Sequence, residues 1–333
     1  MQKNTIKNLL RLNDEPYTYV DEMTSHNILI DNCNEFMETL VKFYNEWSDF
    51  ETDIKLPLKQ VFVNNNDIAG DYRLMPCSIE SMHLKFVKII GTNEEQRKVK
   101  DKISVGKALL IDYFDNYAYA VFDVCAFSSF RTAAISVLAL HCSNISLEKV
   151  GIIGTGRIGF YTAFILYKWH NIKSFTVCDT NEKNYQNFVA LCKHYMPDVT
   201  IEHKQKESLL NNSEAVFLAT TASESLLNVS NSKHIRFISS VGADADNLSE
   251  IDASLLNSHR LITDSFQSTC LGDMKKWNLN TRSDTIPTEL KHFILEKYQE
   301  NLKVLFISTG IAVQDALICK FIYDKMNAVD HNI

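Results

Sequence analysis

The sequence predicts an α/β protein with two architecturally different parts. Two observations predict a parallel sheet in the second part: an apolar strand runs from Val150 into a turn with three glycines, and helical and extended patterns alternate after it. In the first part, residues 1–130, one long helical pattern precedes several strand-like runs instead. The expected fold class is therefore a Rossmann-type doubly wound parallel sheet plus a discontinuous α+β domain.

The turn after the first strand of the predicted parallel sheet has glycines at Gly154, Gly156 and Gly159. The first permits a tight bend, the second lets the backbone approach a pyrophosphate, and the third lets the helix pack on the strand. The N–H groups at the start of that helix would then be free to bind phosphate oxygens. We expect a dinucleotide to contact Gly154, Thr155, Gly156, Arg157, Ile158 and Gly159.

An acid at the end of the second strand indicates which dinucleotide binds. The strand at 174–178 leads into Asp179, twenty residues beyond Gly159, which is the expected distance for a carboxylate that binds a ribose 2′-hydroxyl. A carboxylate repels a 2′-phosphate, so Asp179 and the adjacent Thr180 favour NAD over NADP. A flavodoxin-like or methyltransferase sheet is the alternative, but strand, turn, helix and acid together favour a nicotinamide cofactor.

The remaining patterns predict the other elements in order. In the second part, helices at 158–170 and 181–195 alternate with strands at 174–178, 198–202, 214–220, 235–240 and 260–264. In the first part, helical spacing over 24–48 is followed by strand-like runs at 59–63, 71–75, 84–91 and 107–123. Glycine and proline are scarce, so the join at 128–144 is expected to be a helix.

The end of the chain is predicted to return to the first part. An extended run from Val304 is followed by Thr309, Gly310 and a helical pattern from Ile311 to Met326. We therefore expect residues 1–130 plus 305–333 to form a substrate-binding and dimerisation domain, and residues 131–304 to form the NAD-binding domain. A cleft between the two would bring a substrate to the nicotinamide.

Composition excludes several functional classes. The chain has 333 residues, of which 45% are hydrophobic and 23% are charged, which is typical of a globular protein. A net charge of −7 with dispersed lysines gives no reason to expect nucleic acid or a membrane as partner. The eight cysteines lack metal-site spacing, so we expect free thiols and no metal. No apolar run of signal-peptide or membrane-span length is apparent, and a cytoplasmic location is expected.

Three polar residues stand out as candidates for chemistry. Lys88 shares one face of a strand with apolar residues, so its amine either pairs with a carboxylate or extends into water from an edge strand. Arg131 has small neighbours and suits bidentate capture of a carboxylate, the alternative being a helix-start arginine paired with Asp123. Asp244 follows the strand at 235–240, where ligands of parallel sheets collect, although it could be a solvated loop acid like Asp246.

Together these segments resemble the ornithine cyclodeaminase and mu-crystallin family, which also includes archaeal alanine dehydrogenases, ketimine reductases and diaminopropionate synthases. The similar motifs are Met75-Pro76 with Val87-Lys88, Arg131-Thr-Ala-Ala134, Ile152 to Gly159, and Val241-Gly-Ala-Asp244. The resemblance extends over residues 55 to 326, and the order of the motifs is more specific than any one of them.

The resemblance implies a role for each candidate. Lys59, Lys88 and Arg131 would bind a substrate carboxylate. Lys88 and Asp244 would be catalytic, with Asp244 as the acid–base group near the reacting amine. The residues implied beside the cofactor are Thr220, Thr221, Val241 and Gly310.

The implied reaction is hydride transfer between the α-carbon of an amino acid and NAD, with an imine as the oxidised species. Because Asp244 is present, we expect cyclodeamination of ornithine to proline and ammonia. The alternatives are an amino-acid dehydrogenase or ketimine reductase, a diaminopropionate-type dehydrogenase of an N-substituted amino acid, and a non-catalytic binder like mu-crystallin. The family also implies a homodimer formed through the first-domain sheets, for which the run at 107–123 is suited.

Overall fold

The computed structural model describes residues 3–12, 15–63, 70–92, 104–145, 148–245, 247–279, 286–296 and 301–330. Within these ranges the chain forms a mixed sheet of seven strands and a parallel sheet of eight strands. Both sheets are covered by helices, so the predicted fold class is confirmed. Asp246, weighed above against Asp244, lies outside the described residues.

The first sheet is built mainly from long antiparallel strands. Its strands are β1 (Thr18–Val20), β2 (Ile54–Lys55), β3 (Gln60–Val63), β4 (Asp71–Ile79), β5 (Leu84–Thr92), β6 (Ser104–Asp112) and β7 (Ala118–Asp123). Their order is β1-β7-β6-β5-β4-β2, and β3 also pairs with β4. Lys88 lies on β5 between Met75 and Ala108 on the flanking strands. Lys88 is therefore on an interior strand, and the edge-strand alternative is wrong.

The helical pattern predicted over 24–48 forms two helices rather than one. The helices that precede β2 are α1 (Lys3–Leu10), α2 (Glu22–Asp31) and α3 (Cys33–Glu46). The break falls at Asn32, where φ is −115° and the side-chain amide donates to the carbonyl oxygen of Ile28 at 2.8 Å. Asparagine side chains compete with helical backbone bonds in this way, and hydrophobic periodicity does not reveal the break.

The join between the two parts is the helix α4 (Val124–Cys142), as the scarcity of glycine and proline predicted. Nearly all of its residues are buried. By length and composition α4 could cross a membrane, so the expectation that no run of this kind exists is wrong. A helix that is apolar all round is also what the centre of a large core requires, and α4 packs against helices from both parts of the chain.

The second sheet is entirely parallel. Its strands are β8 (Val150–Ile153), β9 (Ser174–Cys178), β10 (Thr200–His203), β11 (Ala215–Leu218), β12 (Phe237–Ser240), β13 (Arg260–Thr263), β14 (Thr288–Glu289) and β15 (Val304–Ile307). The accompanying helices are α5 (Arg157–His170), α6 (Glu182–Tyr195), α7 (Lys206–Asn211), α8 (Val229–Ser232), α9 (Gly272–Lys276) and α10 (Leu290–Phe293). The order is β10-β9-β8-β11-β12-β15-β13-β14, so the winding direction reverses between β8 and β11. A ligand crevice is expected beyond the carboxyl ends of strands at such a point.

The chain crosses between the two sheets at places that differ from the predicted boundaries. The boundary after residue 130 falls inside α4, and the boundary after residue 304 falls inside β15, which pairs with β12 and β13. The last helix, α11 (Ala312–Asp330), leaves the parallel sheet and packs across β4, β5 and β6 of the first sheet. The loop at 308–311 is thus the second crossing, and α4 is the first.

Candidate functional site

Two of the predicted cations share one buried carboxylate. The ammonium of Lys88 donates to Oδ2 of Asp315, and Nε of Arg131 donates to Oδ1 at 2.8 Å. Asp315 lies on α11 and is 0% exposed. Among the described residues, no protein acceptor binds the two terminal nitrogens of Arg131. The cluster therefore has one more cation than anion, and its free guanidinium edge is suited to a ligand carboxylate.

The surroundings of this cluster set its protonation. Burial lowers the pKa of Lys88 to about 8, although the charge of Asp315 opposes the change. Burial raises the pKa of Asp315, but Arg131 and Lys88 outweigh it, and the net shift is below the ordinary value. Asp315 is therefore ionised at neutral pH, whereas the Lys88 ammonium exchanges its proton near pH 8. A group that titrates near the working pH is suited to proton transfer.

The loop after β15 connects this cluster to Lys59. Gly310 has φ +80°, and a Cβ there would lie 2.6 Å from Nη2 of Arg131. Its amide donates to Oδ2 of Asp264 at 2.8 Å, which fixes the loop. The Lys59 ammonium donates to the carbonyl oxygen of Thr309. The structure thus brings Lys59, Arg131 and Gly310 together, and burial lowers the pKa of Lys59 to about 8 despite the charge of Asp244.

Asp244 lies beyond β12 and is paired with an arginine that the sequence interpretation missed. Nη1 of Arg73 donates to Oδ2 of Asp244, and Nη2 is 3.5 Å from Oδ1. Burial raises the pKa of Asp244, but Arg73 and Lys59 together hold that pKa below its ordinary value. Asp244 is therefore an ionised acceptor at neutral pH and cannot donate a proton there. The two lysines are better matched to acid–base work in this arrangement.

The glycine turn has the geometry that each glycine predicts. Gly154 has φ +97°, and a Cβ there would lie 2.4 Å from the carbonyl oxygen of Ala219. A Cβ at Gly159 would lie 2.1 Å from the oxygen of Gly154, whereas one at Gly156 would have nothing within 4 Å. The first and third positions are therefore required by packing. Gly156 is the residue immediately before α5, and the start of this helix has no side-chain cap.

The other residues predicted at the turn differ in accessibility. Oδ2 of Asp179 accepts from the backbone N–H and the hydroxyl of Thr155, at 2.7 and 2.8 Å. Thr180 and Arg157 are exposed beside the turn, whereas Ile158 is half-buried and packs on the core. Asp179 therefore connects the ends of two neighbouring strands.

Glu250, a second residue that the sequence analysis did not identify, connects the loops after β11 and β12. Its carboxylate accepts from the N–H and hydroxyl of Thr220 at 2.6 and 2.9 Å, from the hydroxyl of Ser240 at 2.7 Å, and from the N–H of Gly242 at 2.9 Å. Glu250 is 0% exposed, and burial raises its pKa despite these bonds. The predicted cofactor residues Thr221 and Val241 are adjacent in sequence to the residues that Glu250 binds. Thr221 is exposed and Val241 is half-buried.

A small cavity lies where the two sheets approach each other. Besides Lys59, Thr309 and Gly310, its wall is mainly apolar and includes Leu56, Pro57, Leu58, Met75, Leu271 and Ile311. Among the described residues, no group of histidine, cysteine and acidic side chains is arranged to hold a metal ion.

The parallel sheet, the glycine turn and the buried cation cluster across the cleft define a dinucleotide-binding α/β protein. The family model of the ornithine cyclodeaminase/mu-crystallin family matches residues 18–330. The chain belongs to this family, and the resemblance inferred from the sequence motifs is confirmed.

Known relatives are similar over nearly their whole length. A Delta(1)-pyrroline-2-carboxylate reductase of Bacillus cereus is 22% identical, over 88% of this chain and 92% of its own. The solved Delta(1)-pyrroline-2-carboxylate reductase of Thermococcus litoralis, in complex with NADH and L-proline, has a TM-score of 0.82 and 21% identity, over 95% and 98% of the two chains. An archaeal alanine dehydrogenase dimer with bound NAD has a TM-score of 0.81 and 18% identity, over 95% and 97%.

Proposed function

We propose that this chain is an NAD-dependent oxidoreductase that acts at the α-carbon of an amino or imino acid. The observation that carries the proposal is the cluster in which Lys88 and Arg131 share Asp315, because it leaves a guanidinium edge free for a carboxylate. Membership of the family supports the proposal, as do relatives described as a pyrroline-carboxylate reductase and an alanine dehydrogenase.

The residues of the glycine turn fit NAD. The absent side chain at Gly156 leaves room for a pyrophosphate, and the uncapped start of α5 offers N–H donors. Asp179 supports the preference for NAD over NADP, because its carboxylate would accept from ribose hydroxyls and repel a 2′-phosphate. The two solved relatives bind NADH and NAD, which supports the same cofactor here.

Each residue of the cleft has a proposed task. Arg131 and Lys59 bind the α-carboxylate and so orient the α-carbon. Correct orientation of the reacting atoms by itself lowers the reaction barrier substantially. Lys88, with its pKa of about 8, holds or accepts the proton of the substrate nitrogen. Asp244 acts as an ionised acceptor of hydrogen bonds. When bound, NAD supplies the acceptor or donor of the hydride.

The form of the reaction that the geometry favours is a dehydrogenase or imine reductase. The presence of Asp244 predicts cyclodeamination, in which a free carboxylate in the cleft would interact with an amine of ornithine. Arg73 now pairs with that carboxylate, which argues for a substrate with an uncharged side chain. Cyclodeamination is the second candidate, supported by the presence of Asp244 in the cleft with a side chain that is 31% exposed.

The test is an assay of two products at once. The purified protein is incubated with NAD and a panel of amino acids, while ammonia release and absorbance at 340 nm are followed together. We expect NADH to accumulate with an aliphatic or cyclic amino acid, and the matching imine to be reduced when NADH is supplied. Ammonia from ornithine without net NADH would instead establish cyclodeamination, and no signal in either channel with any substrate would contradict the proposal.

Two alanine substitutions in the glycine turn should separate folding from cofactor binding. Gly156→Ala adds a Cβ into open space, so the protein should remain folded while its affinity for NADH falls at least about tenfold, because the methyl group occupies the approach to the pyrophosphate. Gly154→Ala should instead lower the melting temperature, because φ +97° and the carbonyl of Ala219 exclude a Cβ. Calorimetric titration with NADH and thermal unfolding measure the two effects. Unchanged NADH affinity in Gly156→Ala would contradict this placement of the pyrophosphate.

The outer face of the first sheet supports a homodimer. Across four strands the register aligns Pro76, Val87, Leu109 and Val121, and all four lie on the face away from α11 with only partial exposure. An antiparallel sheet normally has one polar face in water, so this apolar row across its outer face indicates a protein partner. A second copy is the proposed partner, in keeping with the alanine dehydrogenase dimer among the relatives.

The dimer is tested by mass in solution. Light scattering after gel filtration should give twice the chain mass of 38.1 kDa for the wild type. Leu109→Glu should give the monomer mass, because each interface would bury two unpaired carboxylates. Leu295→Glu is the control, since Leu295 is an exposed leucine outside this sheet. A wild-type protein that is monomeric at all concentrations would exclude the dimer.

A further inference from the structure

Arg73 is held in the wall of the cleft by a carboxylate behind it. It lies on β4, and its side chain is 7% exposed. Nε and Nη2 donate to the two oxygens of Asp71 at 3.0 and 2.9 Å. The hydroxyl of Thr92 donates to the same carboxylate at 3.0 Å. This bidentate contact fixes the plane of the guanidinium.

The other edge of that guanidinium faces Asp244. Nη1 donates to Oδ2, and the Asp244 side chain is 31% exposed, so it can be reached from the cleft. Lys59 is also near enough for the charge of Asp244 to act on it. Asp244 is therefore already occupied by a guanidinium that Asp71 holds in place. The guanidinium would have to leave Asp244 before an ammonium group of a ligand could pair with that carboxylate.

The neighbouring cavity is consistent with a substrate that has no second charge. Its wall has apolar side chains from Leu56, Leu58, Met75, Leu271 and Ile311 beside Lys59, and its other polar side chains, Gln267, Ser268 and Thr309, are uncharged. An ammonium group inserted there would lose its hydration, meet the charge of Lys59 and find no carboxylate among the lining residues. An aliphatic or cyclic side chain of an amino acid would instead gain from burial.

We propose that Arg73 determines specificity by occupying Asp244, so that the cleft rejects amino acids with a second ammonium group and accepts those with an uncharged side chain. The inference rests on the proposed function, in which Arg131 and Lys59 bind the α-carboxylate. It also explains how Asp244 is present without conferring selectivity for diamines.

The test compares two ligands that differ only by one amine. L-Ornithine and L-norvaline share the same carbon chain, and norvaline lacks the terminal amino group. Their affinities for the protein with NADH are measured by calorimetric titration, which needs no turnover. We expect the wild type to bind norvaline more tightly. In Arg73→Met the ratio of ornithine to norvaline affinity should rise at least about tenfold, the lower end for a charge-assisted hydrogen bond.

Three further variants serve as controls for this test. Arg73→Met leaves the buried carboxylate of Asp71 without its arginine partner, and the single variant could fail to fold for that reason. Asp71→Asn/Arg73→Met removes the carboxylate charge as well and should show the same gain in the ratio of ornithine to norvaline affinity. Arg73→Lys retains a cation beside Asp244 and should retain the preference for norvaline. Asp244→Asn added to the Arg73→Met background should abolish the gain, because the acceptor for the second ammonium is then neutral.

The outcomes separate the two proposals. Equal affinity of the wild type for the two ligands, or an unchanged ratio in folded Asp71→Asn/Arg73→Met, would overturn the assignment of Arg73 alone. Binding of no amino acid from the wider panel, with NADH or with NAD, would overturn the proposed function itself. A gain for ornithine that persists after Asp244→Asn would also overturn the assignment, because the gain would then not arise at Asp244.

Discussion

Replacement of Lys88 by methionine should lower kcat/KM by about 10³-fold, the range for a positioned proton-transfer group. Methionine fills the volume of the lysine stem between Met75 and Ala108, and Arg131 still pairs with Asp315. The fold should therefore persist while the group that carries the proton is lost. Steady-state kinetics with the substrate found in the product assay measures the effect, and circular dichroism checks the fold.

The pH profile gives an independent check on Lys88. Its pKa is lowered to about 8, so for imine reduction, in which the ammonium donates its proton, kcat/KM should fall as the pH rises through that value. For amino-acid oxidation, in which the neutral amine accepts the proton, kcat/KM should rise instead. The pKa of Lys59 is also about 8. If Lys88 causes the change in kcat/KM near pH 8, the pH profile of Lys59→Met should still show that change. Lys85→Met is the control, because Lys85 lies on the same strand with its amine bonded to Tyr113 and Asn116. A loss below about tenfold in Lys88→Met would exclude proton transfer by this residue.

Asp315→Asn should destabilise the protein by about 3–5 kcal/mol, the usual cost of removing one partner from a buried ion pair. The substitution conserves shape but leaves Lys88 and Arg131 buried without a carboxylate. Because the pKa of Asp315 is held below its ordinary value of 3.8, its contribution to stability is present at neutral pH. That contribution is lost as the pH falls through the lowered pKa. Urea unfolding at pH 7 measures the change.

A control on the same helix isolates the effect of burial. Asp324 is also on α11, but its side chain is 55% exposed and pairs with Lys320 one turn away. Asp324→Asn should therefore change stability by less than about 0.5 kcal/mol. If Asp315→Asn is too unstable to purify, Lys88→Met/Asp315→Asn should recover part of the loss, because one unpaired cation is removed. A destabilisation of Asp315→Asn no larger than that of Asp324→Asn would refute the buried cluster as a stabilising unit.

Local patterns determined the architecture of the second part of the chain. The strand cores at 150–153, 174–178 and 237–240 are apolar runs bounded by turns, and each became a strand of the parallel sheet. The glycine turn was equally local, because backbone freedom at Gly154 is a property of that residue. Lys88 and Arg131 could be selected for a similar reason, since each is a cation in an apolar setting. Arg73 alternates with Met75 and Cys77 on β4 in the same way, so this signal was present there too.

Partners and boundaries depended on contacts between distant segments. Asp315 lies 227 residues from Lys88 and 184 from Arg131, and Asp244 lies 171 residues from Arg73. Which carboxylate meets which cation therefore depends on where α11 returns across the first sheet and where β12 ends. The position of β15 between β12 and β13 likewise depends on pairing between strands that are distant in sequence. Sequence alone determined which residues were chemically unusual, whereas only the tertiary structure decided their partners, because long-range pairing leaves no local periodicity.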